Sequence, residues 1–255
     1  MKPAPINRKN IPFLVLVLTL IALSGLSCRL LNLRQPEYIH HPQPDLKVNF
    51  EAFTEAGCIL GDYGRMDCSN ATVFSSMECD QIHQTGDMLG GLDPNLPLAR
   101  CDYIPFNHEQ YDLESLKGTY FYNGGCSLPF LVRYIVPQED GFTRVSNVDE
   151  LAKVFAPISS PEEALSYAVA TTGLSTLYDI QPPKNFRFLT DHIEDTYAAQ
   201  TSEGFEVLLY DTYLCGCGPH TVSSVKVLVT TEGQIQIGDP QPAYQDPKND
   251  DLCID

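Results

Sequence analysis

Nine cysteines limit the folds open to this 255-residue chain more than any other feature. Five of them, Cys58, Cys68, Cys79, Cys101 and Cys126, are interleaved with the turn-forming strings GDYG, TGDMLGGLDPNLP and YNGG. Cys215 and Cys217 share the stretch DTYLCGCGPHTV with His220, Cys253 lies close to the C-terminus, and Cys28 follows an apolar run near the start. Thiols in such numbers serve as metal ligands, redox centres or disulfide anchors, and each role asks for a different fold.

The spacing Cys215-x-Cys217-x-x-His220 offers three soft ligands, but a structural zinc site wants a fourth and no second cluster of similar spacing follows. As a redox dithiol the pair lacks the helix N-terminus that lowers a thiol pKa. A direct Cys215–Cys217 bridge would close a very small, strained ring. Each cysteine is therefore expected to pair with a distant partner, with His220 a bystander. No metal and no cofactor is expected, and the adjacent His40 and His41 read as a solvated spacer.

Whether disulfides are permitted depends on the compartment, and the N-terminus speaks to that. Lys2, Arg8 and Lys9 precede the uncharged run IPFLVLVLTLIALSGL, Ile11 to Leu26, the pattern of an export signal. The following SGLSC, Ser24 to Cys28, resembles the lipobox of bacterial lipoproteins. Ser27 suits the place before the cysteine, whereas Gly25 stands where leucine is usual. The resemblance implies a signal peptide over residues 1–27, cleavage before Cys28 and a lipid on Cys28 that anchors the protein to the membrane on its extracytoplasmic side. Two other readings compete. Ala22-Leu23-Ser24 suits ordinary signal peptidase and would release a secreted protein, and Ile11–Cys28 is just long enough to span a bilayer uncleaved. With Cys28 lipidated, the remaining eight cysteines, Cys58, Cys68, Cys79, Cys101, Cys126, Cys215, Cys217 and Cys253, are enough for four disulfides in an oxidising compartment.

A hydrophobic content of 43% with 19% charged residues is that of a globular protein. The formal charge of −17 excludes nucleic acid as a partner, because phosphates need a basic face. Along the chain, residues 28–50 are rich in proline and polar residues and read as a tether. Residues 51–117 read as an irregular cysteine-rich region, with a short helix somewhere before Cys79.

Residues 118–255 read as an α+β domain, a mostly antiparallel sheet with one or two helices. Strands are expected around Thr119–Tyr122 and Pro129–Val136, joined by Asn-Gly-Gly, and at Phe142–Val145. Helices are expected at Val148–Phe155 and after Ser160, where Pro161 suits the first position, Glu163 completes a capping box and Gly173 ends the helix. Leu165, Ala168, Val169 and Thr172 would form its buried face. Period-two alternation marks Asp195–Gln200, Phe205–Tyr213 and Val222–Thr230, with Val225, Val227 and Val229 sharing one face.

Catalytic strings give little. HEQYD has Asp112 where a zincin needs its second histidine, and in SSVK the strand puts Ser223 and Lys226 on opposite faces. The tail acids Asp246, Asp250, Asp251 and Asp255 do not fit a calcium loop, because Lys248 takes a ligand position and no glutamate closes it. Neighbours such as Glu194 and Asp195 point apart in a strand. The expected function is a non-enzymatic, envelope-anchored module that binds an unknown protein or small-molecule ligand outside the cytoplasm. Two alternatives are a thiol-disulfide redox protein using Cys215 and Cys217, and an extracytoplasmic hydrolase in which His192 or His220 converges with carboxylates.

Overall fold

The computed structural model describes residues 35–109, 112–212 and 214–254. The apolar run Ile11–Leu26 and Cys28 lie outside the described residues. Among those described, no helix is long and apolar enough to cross a membrane.

Two antiparallel sheets and a helical layer carry the architecture. The chain enters with a short strand β1 (Glu37–Ile39) and a helix α1 (Glu51–Glu55). The first sheet follows: β2 (Ile59–Leu60), β3 (Arg65–Asp67), β4 (Gln81–Gln84), β5 (Ala99–Tyr103), β6 (Tyr122–Gly124), β7 (Phe130–Gln138) and β8 (Gly141–Val145). Its order is β2-β3-β4-β5-β7-β6, with β8 also paired to β7. Strand β7, FLVRYIVPQ, is buried along most of its length, which is why it reads as a nearly continuous apolar run rather than an alternating one. Val132, Tyr134 and Val136 face the main core, while Ile135 joins a second cluster with Phe53, Met66, Phe74, Ile82 and Cys101.

That second cluster corrects the expectation for residues 51–117. They are not irregular but supply four of the first sheet's strands, and α1 closes its cluster through Phe53. The strands are only two to five residues long. Runs that short carry too few alternations for period two to register. Pairing of β5 with β7 also carries one sheet across the expected division at 117/118.

Two helices come next, α2 (Val148–Phe155) and α3 (Pro161–Thr172). Both begin with the same device. Asn147 and Ser160 accept hydrogen bonds from the backbone amides of Glu150 and Glu163, three residues on. The glutamates reach back past the cap, to the amides of Ser146 and Ser159. This is a capping box displaced by one residue, and it also places acidic groups in each first turn. Gly173 ends α3 with φ +71°, and a Cβ there would lie 2.5 Å from the Tyr122 ring. Only glycine meets both demands.

The second sheet holds β9 (Arg187–Phe188), β11 (Tyr197–Gln200), β12 (Phe205–Asp211), β14 (Thr221–Val229), β15 (Ile235–Ile237) and β16 (Gln241–Gln245) in the order β11-β12-β14-β16-β9, with β15 on β14. Val207 and Leu209 of β12 join Val225, Val227 and Val229 of β14 in the cluster that also contains Val132 and Tyr134 of the first sheet. Helix α3 is shared between the two sheets. It packs on β12 and β14, while the Tyr134 hydroxyl donates to the Ala170 carbonyl at 2.8 Å and the Ser166 hydroxyl to the Met88 carbonyl at 2.6 Å. The expected single buried face is therefore too narrow. Ala164, Ser166, Tyr167, Ala170 and Thr171 are buried as well, whereas Val169 and Thr172 are only partly so.

Four disulfides complete the frame: Cys58–Cys68, Cys79–Cys101, Cys126–Cys215 and Cys217–Cys253. The last lies between two short paired strands, β13 (Gly216–Cys217) and β17 (Cys253–Ile254). The remaining strand, β10 (His192–Glu194), pairs in parallel with β1.

Candidate functional site

The second sheet has an outer face, and strand geometry decides what stands on it. Val207 and Leu209 point to the helices, so Leu208 and Tyr210 point away. Both are buried nonetheless, Tyr210 in a small apolar cluster with Ile180, Ile193 and Ala243. Beside this cluster opens a groove of about 620 Å³. Leu208, Tyr210, Ser224 and Lys226 line it from the sheet, and His192, Glu194, Asp239 and Gln241 stand among its other walls. An apolar floor with a few fixed polar groups is the usual form of a small-ligand site.

The polar groups are held in place by one another. Lys226 Nζ donates to Glu206 Oε1 at 2.9 Å, and the Tyr197 hydroxyl donates to the same oxygen at 2.7 Å. These two bonds hold the Glu206 carboxyl below the usual carboxylate range. Burial, then the bond to Glu206, pushes the Tyr197 hydroxyl up. Glu194 accepts from His41 Nε2 at 2.8 Å, and the Tyr210 hydroxyl donates to the Glu194 carbonyl.

One residue further, Asp195 is a hub. It is 1% exposed, and its carboxylate accepts from the amides of Asp179 and Ile180 at 3.1 Å each, from the His41 amide at 3.3 Å and from His40 Nδ1 at 3.0 Å. Burial alone would raise its pKa, but these bonds outweigh burial and hold the carboxyl below its ordinary value. Burial and the nearby Asp195 charge push the Tyr178 hydroxyl up to about 12. The ligand atoms of His40, Asp179 and Asp195 all lie within 4.8 Å of one another, the spacing of residues able to share a cation.

The geometry follows from the register of the parallel pair. Ile39 stands opposite Glu194, so the next residue along brings His40 to Asp195, while the His41 side chain reaches back one position to Glu194. Two expectations are corrected here. Residues 35–50 are not a free tether throughout, because β1 pairs with β10 and Tyr38 packs against the outer apolar cluster. His40 and His41 are not solvated spacers, because each has an acidic partner. A three-residue strand and four polar side chains carry no hydrophobic period, so the docking leaves no pattern to read. The one available signal was two adjacent histidines and two adjacent acids in segments able to pair side by side.

The other singled-out residues fall as follows. His192 lines the groove and bonds to Asp191 at 3.0 Å. His220 does not join it. Buried in the disulfide loop, it bonds through Nε2 to the Leu252 carbonyl at 3.0 Å. Cys215 and Cys217 bond to different, distant cysteines and not to each other. Ser223 is buried on the side of Val225, while Lys226 is exposed on the other. In the tail, Asp246 accepts from the Lys248 amide and Asp250 pairs with Arg187. Compared with protein families, curated proteins and solved structures, the chain matches none of them.

Proposed function

We propose that the chain is an exported protein, anchored by a lipid on Cys28 at the extracytoplasmic face of a membrane, which uses the outer groove of its second sheet to bind a small amphipathic ligand. The observation that carries this reading is the pairing of all eight cysteines after Cys28, which leaves Cys28 as the odd one. Disulfides in this number are typical of compartments where thiols are oxidised. The groove supports a binding role because its ionic groups are already paired and oriented: Lys226 to Glu206, Glu194 to His41. A ligand would meet fixed charges over the apolar surface of Leu208 and Tyr210. A redox role for Cys215 and Cys217 draws no support, since each sulfur is already committed to a distant partner.

The test is to express the full chain in a bacterial host and weigh the protein extracted from membranes, unreduced and after alkylation. The expected product lacks residues 1–27, carries diacylglycerol on Cys28 and takes up no alkylating agent. A soluble product without lipid, or one with alkylated Cys215 and Cys217, would overturn the reading.

A further inference from the structure

We propose that His40, Asp179 and Asp195 form a binding site for one divalent transition-metal cation, which clamps the N-terminal segment onto the second half of the fold. The three ligand atoms come from separate parts of the chain: His40 just after β1, Asp179 in the loop after α3, and Asp195 just after β10. They nevertheless converge within 4.8 Å. Ligands around a tetrahedral ion with bonds of about 2.0–2.1 Å stand roughly 3.3 Å apart. The 3.0 Å between His40 Nδ1 and Asp195 Oδ2 is already close to that spacing. Asp179 is exposed, and its carboxylate stands within 4.8 Å of both.

The donor set decides the class of cation. One imidazole nitrogen with two carboxylates suits borderline ions such as zinc or cobalt, whereas calcium prefers six to eight oxygens. Three protein ligands would leave a further position for water. Binding at His40 Nδ1 replaces its hydrogen bond to Asp195 with a coordinate bond, and the ring hydrogen is then carried on Nε2. The site has an entry path, since the His40 side chain is 42% exposed. Meanwhile the Asp179 and Ile180 amides hold the Asp195 carboxylate in position before any ion arrives. The chain's formal charge of −17 draws cations toward it. None of this depends on the groove or on where the protein resides.

The experiment is calorimetric titration of the full chain in detergent, stripped with chelator, with zinc, manganese, cobalt and calcium salts. One equivalent of zinc or cobalt should bind with micromolar or tighter affinity, and calcium at least tenfold more weakly. Asp179→Asn should weaken zinc binding tenfold or more without moving the thermal midpoint of the metal-free protein. Asn keeps the fold because the Asp179 amide, not its carboxylate, supports Asp195, and asparagine tolerates the left-handed φ of +51° found there. His40→Gln should weaken zinc equally, and His192→Gln should leave it unchanged. Cobalt-loaded protein should show a visible absorption band that Asp179→Asn abolishes. No saturable binding of any transition cation, or one-equivalent binding that both Asp179→Asn and His40→Gln leave intact, would overturn the site.

Discussion

Cys126 and Cys215 are bonded to each other across 89 positions, joining the turn before β7 in the first sheet to the loop after β12 in the second. Two residues on, Cys217 holds Cys253, so the Cys-Gly-Cys stretch ties two separate parts of the chain to one point. The close spacing of these two thiols serves neither metal nor redox chemistry in this arrangement. It lets one loop fasten the first sheet and the C-terminus together.

Loop length sets what each bridge contributes. In the chain-entropy account, a closed loop of 89 residues restrains the unfolded chain more than one of 10. Replacing both Cys126 and Cys215 by alanine should therefore cost about 2 kcal/mol more than replacing Cys58 and Cys68. Urea unfolding of the two double variants checks this. Equal losses would count against the entropic account for this fold.

Phe53 anchors the apolar cluster beyond the first sheet, with ring centroids 5.8 Å from Phe74 and 5.1 Å from Phe142. Phe53→Ala should cost about 3–5 kcal/mol. Tyr63, fully exposed in the same stretch, should tolerate serine within about 0.5 kcal/mol. Denaturant midpoints separate a packed layer from a loosely attached one, in which both variants would behave alike.

The caps of α2 and α3 make a matched pair. Asn147→Ala and Ser160→Ala should each destabilise the protein by about 1 kcal/mol. Because α3 is packed between the sheets, the two losses should appear in one cooperative transition. Separate calorimetric transitions for α2 and the rest would contradict that.

Asp80 gives the fold an acid limit. Burial raises its pKa, but bonds from the Ile104 amide, the Asn107 side chain and His108 outweigh burial and hold it below the ordinary range. The Arg133 guanidinium also faces it, and Glu78 acts on the same histidine. A carboxyl depressed in the folded state contributes stability that is full above its unfolded pKa of about 4 and is lost as the pH falls through the folded value. Asp80→Asn should therefore cost about 1–2 kcal/mol at neutral pH. The difference from the parent protein should shrink steadily below pH of about 4. Thermal midpoints measured from pH 7 downward would show the two curves converging, and parallel curves would rule out this role.

Sequence by itself determined what local chemistry controls. Val225, Val227 and Val229 share a buried face because alternation is a property of one strand. Asn147 and Ser160 cap helices because a cap needs only its own first turn. The oxidised state of the cysteines was legible from their number and from the signal-like start. Tertiary structure decided everything that depends on which distant segments meet. It chose one cysteine pairing among about a hundred, built strands of two to five residues into the first sheet, and buried α3 from two sides. It also brought His40 to Asp195 across 155 positions. Such contacts are stabilised only when the whole sheet is assembled, and a strand of three residues bears no periodic mark of its partner. The candidate site lies at one of these meetings, which is why its residues stood far apart in the linear chain.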